Sequence, residues 1–488
     1  MKGNFVGFFV LFFILFLGGT DATRKSSSKT CRLKKDVPTV PAAGQQSLAP
    51  STACVNGAAC AAAPAPSSGV TPGRGAVVQR PRFPYGEQKI RGVNLGGWFV
   101  LEPWVNPSMF NQTGKDFIVD EWTYGYYQTR DVAQSIIEHH WDTWITEDDF
   151  EAIAQAGLNH VRIPMPYWSV PTANTSTMPF LSGSWSRLLR AVSWASKYDL
   201  SVIIDIHGAP GSQNGYDNSG LRLDSPQWQT APENVNRTLQ VFSVLLNEFG
   251  NFDKWGGTVG AIEALNEPAA FLPDVLPVTN QYWHDTYGIL RDLRIGKGTE
   301  SADGTVDPNE IKMVIMDGFI GVQNYKGFLA PPQAEGVMMD THCYQIFNPD
   351  QLMLSQPDHI TQACAIGANT ATDAVGGLWT FVGEWSASPT DCTPWINGRF
   401  IGSDWVTAVE GRTCDGLTGA WQTFSDDFKD FLAQYFEAQV MAYEQTQGWI
   451  YWFTETVDEW SYSKGIEGGW IPANISDMSL RRFPDICS

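Results

Sequence analysis

A closed barrel of eight parallel strands alternating with helices, the (β/α)8 or TIM barrel in the α/β class, is the fold that the sequence predicts. Three observations predict it. Short apolar runs recur eight times after residue 83, separated by stretches of helical periodicity. Runs such as Val202-Ile203-Ile204 are continuously apolar, as parallel strands buried on both faces require. The runs also end in polar residues, as barrel strands do at a catalytic rim. A doubly wound open sheet would alternate strand and helix as well. Its first strand, however, leads into a G-x-G-x-x-G turn, and Gly92-Val93-Asn94-Leu95-Gly96-Gly97 lacks that spacing.

From the N-terminus, residues 1–22 have the pattern of a secretory signal. Met1-Lys2 precedes a nearly unbroken apolar run from Phe5 to Gly19, and Thr20-Asp21-Ala22 offers a cleavage site. The run is short for a membrane span, although an uncleaved signal would tether the chain without changing its chemistry. No apolar tail follows at the C-terminus, so no lipid anchor is expected. Residues 23–83 are rich in Ser, Ala, Pro and Thr, and Pro64-Ala65-Pro66-Ser67-Ser68-Gly69 is linker composition. Such a segment cannot bury enough apolar area to fold alone and is expected to be a disordered spacer. Its basic start, from Arg24 to Lys35, is expected to be solvated.

The catalytic domain is expected to span 84–488, with strands at 90–95, 160–164, 200–206, 259–265, 312–317, 337–342, 378–383 and 448–453. Between the first two strands, Thr146 stands as a helix N-cap ahead of Glu147, Asp148 and Asp149. Phe150, Ile153, Ala154 and Leu158 then follow helical spacing.

Composition narrows the function. A net charge of −20 argues against nucleic acid and anionic membranes, which need clustered cations, and suits a neutral substrate. The 20 Trp, 15 Tyr and 27 Phe build a core, and also offer flat rings with a polar edge that suit a sugar. None of the eight Cys forms a paired C-x-x-C zinc pattern. In an oxidising compartment they are disulfide candidates, with Cys392–Cys414 closing a local loop and Cys364–Cys487 pinning the C-terminus. Sequons stand at Asn111, Asn174, Asn236 and Asn474. The expected product is a secreted, extracellular or cell-wall glycoprotein, monomeric and without a stable protein partner.

The strand ends carry the chemistry. The second strand carries Arg162, and the third ends in Asp205-Ile206-His207. The fourth ends in Asn266-Glu267-Pro268, and the sixth in His342-Cys343-Tyr344. The seventh ends in Gly383-Glu384-Trp385, and the eighth carries Trp452. Six polar sets on one rim are hard to explain as packing, because each brings a desolvation cost. Any one alone has an ordinary structural explanation; their order and spacing do not.

Two carboxylates flanking a glycosidic bond are the minimum for hydrolysis. Glu267 is assigned as general acid/base and Glu384 as nucleophile. Arg162 is expected to keep Glu384 ionised, and the nearby carboxylate to raise the pKa of Glu267. His342 and Tyr344 are expected to bond and orient the nucleophile, and Asn266 to donate to the sugar 2-hydroxyl. His207 and His342 beside two Glu could suggest zinc, but the mechanism needs only carboxylates and water. No metal and no cofactor is expected.

This arrangement resembles family 5 glycoside hydrolases, and within them the fungal exo-β-1,3-glucanases, from about residue 84 to the C-terminus. The matching strings begin with Arg91-Gly-Val-Asn-Leu-Gly-Gly-Trp98, Leu101-Glu-Pro-Trp104, His140-Trp-Asp-Thr-Trp144 and Ile145-Thr-Glu-Asp-Asp-Phe150. They continue with His207-Gly-Ala-Pro-Gly-Ser-Gln-Asn-Gly215, Asn266-Glu-Pro268, Tyr344-Gln-Ile-Phe347, Gly383-Glu-Trp385 and Gly448-Trp-Ile-Tyr-Trp452. The resemblance implies release of single glucose units from non-reducing ends of β-1,3-glucan through a covalent glucosyl-enzyme, with transglycosylation as a side activity. It implies that Arg162, His207, Asn266, His342, Tyr344 and Trp452 form the catalytic shell. Glu102 and Asn218 match positions that bind the terminal glucose. Trp104 and Tyr216 stand where well-known yeast members have Tyr and Phe. The Phe at the second position pairs with the residue matched by Phe347 as an entrance clamp. Two other readings remain. One is an enzyme, exo or endo, on another β-glycan, which substrate profiling separates. The other is a non-catalytic wall-binding barrel, which would lack one carboxylate or its shell.

Overall fold

The computed structural model describes residues 77–172, 178–301, 305–307, 309–453 and 457–488. Its strands are β1 (Ile90–Leu95), β2 (His160–Pro166), β3 (Ser201–Gly208), β4 (Val259–Glu263), β5 (Lys312–Met316), β6 (Val337–Cys343), β7 (Trp379–Trp385) and β8 (Gly448–Phe453). They form one closed barrel in chain order, all parallel, with β8 paired back onto β1. The predicted (β/α)8 barrel is the observed fold. β1 and β8 have the predicted bounds. β2, β3, β6 and β7 run one or two residues further toward the mouth, and β4 and β5 stop one or two residues short.

Because side chains alternate along a strand, the barrel interior is layered. Ile203, Ala261, Val314, Met338, Phe381 and Ile450 pack with Tyr85 and Ile90 into an apolar floor. Two residues further along the same strands stand Asp205, Glu263, Asp340 and Gly383. Two further again, at the mouth, stand His207 on β3 and His342 on β6, while on β8 Trp452 stands two residues beyond Ile450. The intervening residues, among them Ile163, Ile204, Ile262 and Val382, join the larger core under the helices. A register shift after Thr341 sets His342 beside Glu384.

The helix Glu147–Gln155 begins as expected. Thr146 N–H and Oγ1–H both donate to Asp149 Oδ2, at 2.7 and 2.9 Å, while Phe150 and Ile153 are buried. Beneath the floor runs the segment 77–88. Val78 N–H donates to Ser196 Oγ at 2.9 Å, Gly257 N–H to Arg80 O at 2.8 Å, and Arg82 Nε–H to Asn309 O at 2.6 Å. Tyr85 Oη lies 3.1 Å from His160 Nε2. The composition-based boundary at 83/84 falls inside this packed segment.

Both expected disulfides form: Cys364–Cys487, spanning 123 residues, and Cys392–Cys414, spanning 22. Asn111 and Asn236 are exposed, and the Asn474 amide donates to Gln155 O at 3.2 Å. Asn174, the expected signal (1–22) and residues 23–76 of the expected spacer lie outside the described residues. Among the described residues no helix is long and apolar enough to cross a membrane.

Candidate active site

Arg162 organises the barrel's charged layer. It is wholly buried, and its fixed fork reaches four strands. Nε–H donates to Glu263 Oε2 at 2.7 Å, and Nη1–H to Glu384 Oε1 at 2.9 Å and Asn94 Oδ1 at 3.0 Å. Nη2–H donates to Asn266 Oδ1 at 2.9 Å and lies 3.2 Å from Asp205 Oδ2. Burial disfavours the guanidinium charge, but Asp205, Glu263 and Glu384 outweigh it and raise its pKa. Burial likewise raises the Glu263 pKa well above the usual carboxylate range, against the pull of Arg162.

Glu384 Oε2 accepts from Tyr344 Oη–H at 2.8 Å, and Tyr344 Oη in turn accepts from Trp452 Nε1–H. Glu384 thus has each oxygen aimed by a different donor. Gly96 is needed here: a Cβ at that position would lie 1.8 Å from the Trp452 ring.

Glu267 follows β4 with φ at 44°, a left-handed backbone that non-glycine residues seldom adopt. The conformation is held from the flank: Asn266 N–H donates to Ile206 O at 2.9 Å, and Gln213 Nε2–H to Asn266 O at 2.8 Å. Glu267 Oε1 is 2.9 Å from His342 Nδ1, and Oε2 accepts from Asn218 Nδ2–H at 2.6 Å. The expectation for His342 therefore shifts. Tyr344 bonds Glu384 as expected, whereas the nearer neighbour of His342 is Glu267, with Glu384 Oε2 further off at 3.5 Å. Asn218 likewise touches Glu267, and its Oδ1 accepts from Asn214 Nδ2–H at 3.2 Å.

His207 Nδ1 is 2.6 Å from Asp205 Oδ2. Burial would lower its pKa, but Asp205 raises it. His207 Nε2 and Asn266 Nδ2 are buried and without a hydrogen-bond partner among the described residues, so both are available to a ligand. Glu102 Oε2 accepts from Trp104 Nε1–H at 3.0 Å. Phe347 packs edge-on against Tyr344, centroids 5.6 Å apart. Tyr216 is half-buried beside the Asn218 turn, and its N–H donates to Asn214 Oδ1 at 2.9 Å.

Sequence reasoning missed Asn94, Glu263, Asp340 and Trp460. A single charge inside each of the apolar runs 259–265 and 337–342 was the available signal for Glu263 and Asp340. Trp460 gave none. Its buried ring lies 4.9 Å from Trp104 and 5.5 Å from Tyr344. Two groups, Glu267 with His342 and Glu384, and Glu263 with Asp340 and His342, bring ligand-type atoms within 4.8 Å of one another. Arg162 already donates to one oxygen of Glu384 and one of Glu263, so a cation there would meet its charge.

The segment carrying Glu102 rests on Glu121. Glu121 is fully buried and accepts from Leu101 N–H at 2.8 Å and Trp168 Nε1–H at 3.1 Å. Burial pushes its pKa from 4.5 up to about 8. The folded chain then keeps a proton that the unfolded chain releases, and Glu121's contribution to stability falls as pH rises through that window. The melting temperature should therefore fall between pH 6.5 and 8 more steeply in the unmodified chain than in Glu121→Gln. Parallel profiles would refute this.

Over residues 126–399 the chain matches the family model described as Cellulase (glycosyl hydrolase family 5). Glucan 1,3-beta-glucosidase 2 of Wickerhamomyces anomalus is 39% identical over 416 residues, covering 83% of this chain and 91% of that protein. Glucan 1,3-beta-glucosidase of Kluyveromyces lactis is 38% identical over 425 residues, covering 83% and 93%. The crystal structure of the rutinosidase from Aspergillus niger superposes with a TM-score of 0.58 at 18% identity, covering 80% of this chain and 99% of that one; at that identity the likeness is of fold alone. The barrel with its two strand-end glutamates, the family match over more than half of the chain, and relatives aligned along nearly their whole length agree: this chain belongs to glycosyl hydrolase family 5.

Proposed function

We propose that the chain is a secreted, retaining exo-β-1,3-glucosidase that removes glucose from non-reducing ends of β-1,3-glucan. The observation that carries the retaining mechanism is the spacing of the carboxylates. One oxygen of Glu267 lies within 4.8 Å of one oxygen of Glu384. Retaining enzymes hold the pair about 5–5.5 Å apart, whereas inverting ones leave about 6.5–9.5 Å for a water.

In the first step Glu267 gives its proton to the glycosidic oxygen as the bond to the anomeric carbon breaks. A Glu384 oxygen attacks that carbon from the opposite face, and a glucosyl ester forms. In the second step Glu267 takes a proton from water, the water oxygen attacks the anomeric carbon, and the ester bond breaks to release Glu384. Two displacements restore the β configuration. A sugar hydroxyl in place of water gives transglycosylation. Asn266 Nδ2 supplies a donor for the 2-hydroxyl, His207 Nε2 serves a neighbouring hydroxyl, and Glu102, Trp104 and Asn218 border the same pocket. Tyr216 and Phe347 are assigned to the entrance, where aromatic faces would hold the second sugar.

The strong identity to proteins named glucan 1,3-beta-glucosidase supports the substrate and the exo action. The disulfides support an oxidising destination. The second reading is a 1,4-linked glucan, favoured by the family model's cellulase description.

Laminarin digestion followed by chromatography and by NMR of the first-formed anomer tests the proposal. Glucose alone, first as the β anomer, is expected. First-formed α-glucose would refute retention, and a ladder of oligosaccharides would refute exo action. Release from cello-oligosaccharides but not from laminarin would replace the substrate.

A further inference from the structure

Asp340 stands in the charged layer of β6, two residues before His342 and on the same inward face. It is wholly buried. Its Oδ1 accepts from Gly383 N–H at 2.7 Å, the amide just before the nucleophile. Its Oδ2 lies 3.4 Å from His342 Nε2 and 4.0 Å from Arg162 Nε. Neither Asp340 Oδ2 nor His342 Nε2 has a hydrogen-bond partner among the described residues, so their 3.4 Å approach is an ion-pair contact. On the far side of the ring, Nδ1 sits 2.9 Å from Glu267 Oε1 and 3.5 Å from Glu384 Oε2. One carboxylate therefore holds the backbone of the residue before Glu384 directly and adjoins Glu267 through a single imidazole. Gly383 makes this reach possible, since a Cβ there would lie 1.9 Å from Asp340 Oδ2.

We propose that Asp340 is a positioning residue for hydrolysis: it holds the fixed proton of His342 on Nε2, so that Nδ1 and Glu267 Oε1 share the proton that catalysis moves. This rests on the glycosidase reading above. The partner at one imidazole nitrogen decides which nitrogen is protonated. With an acceptor-only carboxylate at Nε2, that nitrogen keeps its hydrogen. The Nδ1–Oε1 pair then holds one proton, which sits on Glu267 when the leaving oxygen needs it and returns when water is deprotonated.

The other charged groups around the ring support this. Glu384 on β7 and Glu267 after β4 flank Nδ1, while Glu263 on β4 joins Asp340 and His342 in one cluster. Arg162 on β2 adjoins Asp340, and Asp317 after β5 accepts from Thr341 Oγ1–H at 2.9 Å. Burial disfavours the imidazolium, but Glu384 and Asp340 outweigh it and raise the His342 pKa well above its ordinary value.

Asp340→Asn is the discriminating variant. Its carbonyl oxygen still accepts from Gly383 N–H, and its amide then donates to Nε2. That inverts the imidazole, puts the hydrogen on Nδ1, and leaves Glu267 Oε1 only able to accept. The loss should be confined to reactions that need the acid. On laminaribiose, kcat should fall by about 10²–10³-fold, the scale of general acid catalysis. On 2,4-dinitrophenyl β-glucoside, whose leaving group needs no proton, release of the phenol in the first turnover should fall by less than about tenfold. The acid-side and base-side midpoints of kcat/KM should also move. Equal losses on both substrates, or none, would overturn the proposal. NMR of 15N-histidine-labelled unmodified chain, assigned with His342→Gln, gives a second test that needs no folded variant. His342 Nε2 should stay protonated across the active pH range, and a bare Nε2 would overturn the assignment. An unmodified chain inactive on both substrates would overturn the glycosidase reading itself.

Discussion

Glu384→Gln should yield a folded chain that cleaves no β-glucoside, whatever the leaving group. The amide is isosteric, and its oxygen can still accept from Arg162 or Tyr344, so the melting temperature should stay within a few degrees. It cannot form the glucosyl ester, because an amide is a very poor nucleophile. Loss of kcat should exceed about 10⁴-fold, beyond the range attributed to proton transfer alone. Glu267→Gln should behave differently. It should lose about 10²–10⁴-fold on laminaribiose but form the glucosyl-enzyme rapidly from a dinitrophenyl glucoside, seen as a burst of phenol. The contrast assigns the roles. Residual hydrolysis by Glu384→Gln near that of the unmodified chain, in a preparation free of contaminating glucosidase, would end the assignment of Glu384 as nucleophile.

Arg162→Met should produce the second largest effect, and on stability as much as on rate. Arg162 supplies donors to Glu263 and Glu384, and its charge lies 3.2 Å from Asp205. Removing it strands those carboxylates in a dry layer, since Arg162, Asp205 and Glu263 are all wholly buried. Breaking a buried charge pair from one side costs about 3–5 kcal/mol. Denaturant titration should show a loss of that size, and hydrolysis should be undetectable because Glu384 loses the donor that aims Oε1. Arg162→Lys keeps the charge but not the planar fork, and one ammonium cannot span Glu263, Asn266 and Glu384. It should recover part of the stability and little of the rate. A methionine variant as stable as the unmodified chain would refute the claim that this charge holds the layer together.

The barrel was legible because its strands are buried on both faces, which leaves apolar runs that need no partner to be recognised. The ends of those runs were legible because polar residues there have no packing purpose. That exposed Glu267, Glu384, Arg162 and most of their neighbours. Glu263 and Asp340 were not legible as parts of the site. A lone charge in an apolar run reveals neither its inward face nor the strand across the barrel that supplies its partner. The same limit hid the nearer partner of His342, which is Glu267 and not Glu384. His342 stands at the end of β6 just after a register shift, which sequence does not reveal. The floor segment escaped for another reason. Residues 77–83 bind through backbone groups and through Arg82 to main-chain carbonyls, so they carry no apolar period and have the composition of a linker.

That floor segment fixes an orientation. Residue 77 enters at the end of the barrel where the strands begin, beside Ser196 and the turn before β3. Glu267 and Glu384 stand at the opposite end, where the strands finish. Any carrier fused ahead of residue 77, whether a bead, a support or a partner domain, is thus joined at the closed pole. Immobilised through that point, the molecule would keep its open pole toward an insoluble polysaccharide, whereas attachment through the loops after β7 or β8 would turn the mouth against its own support.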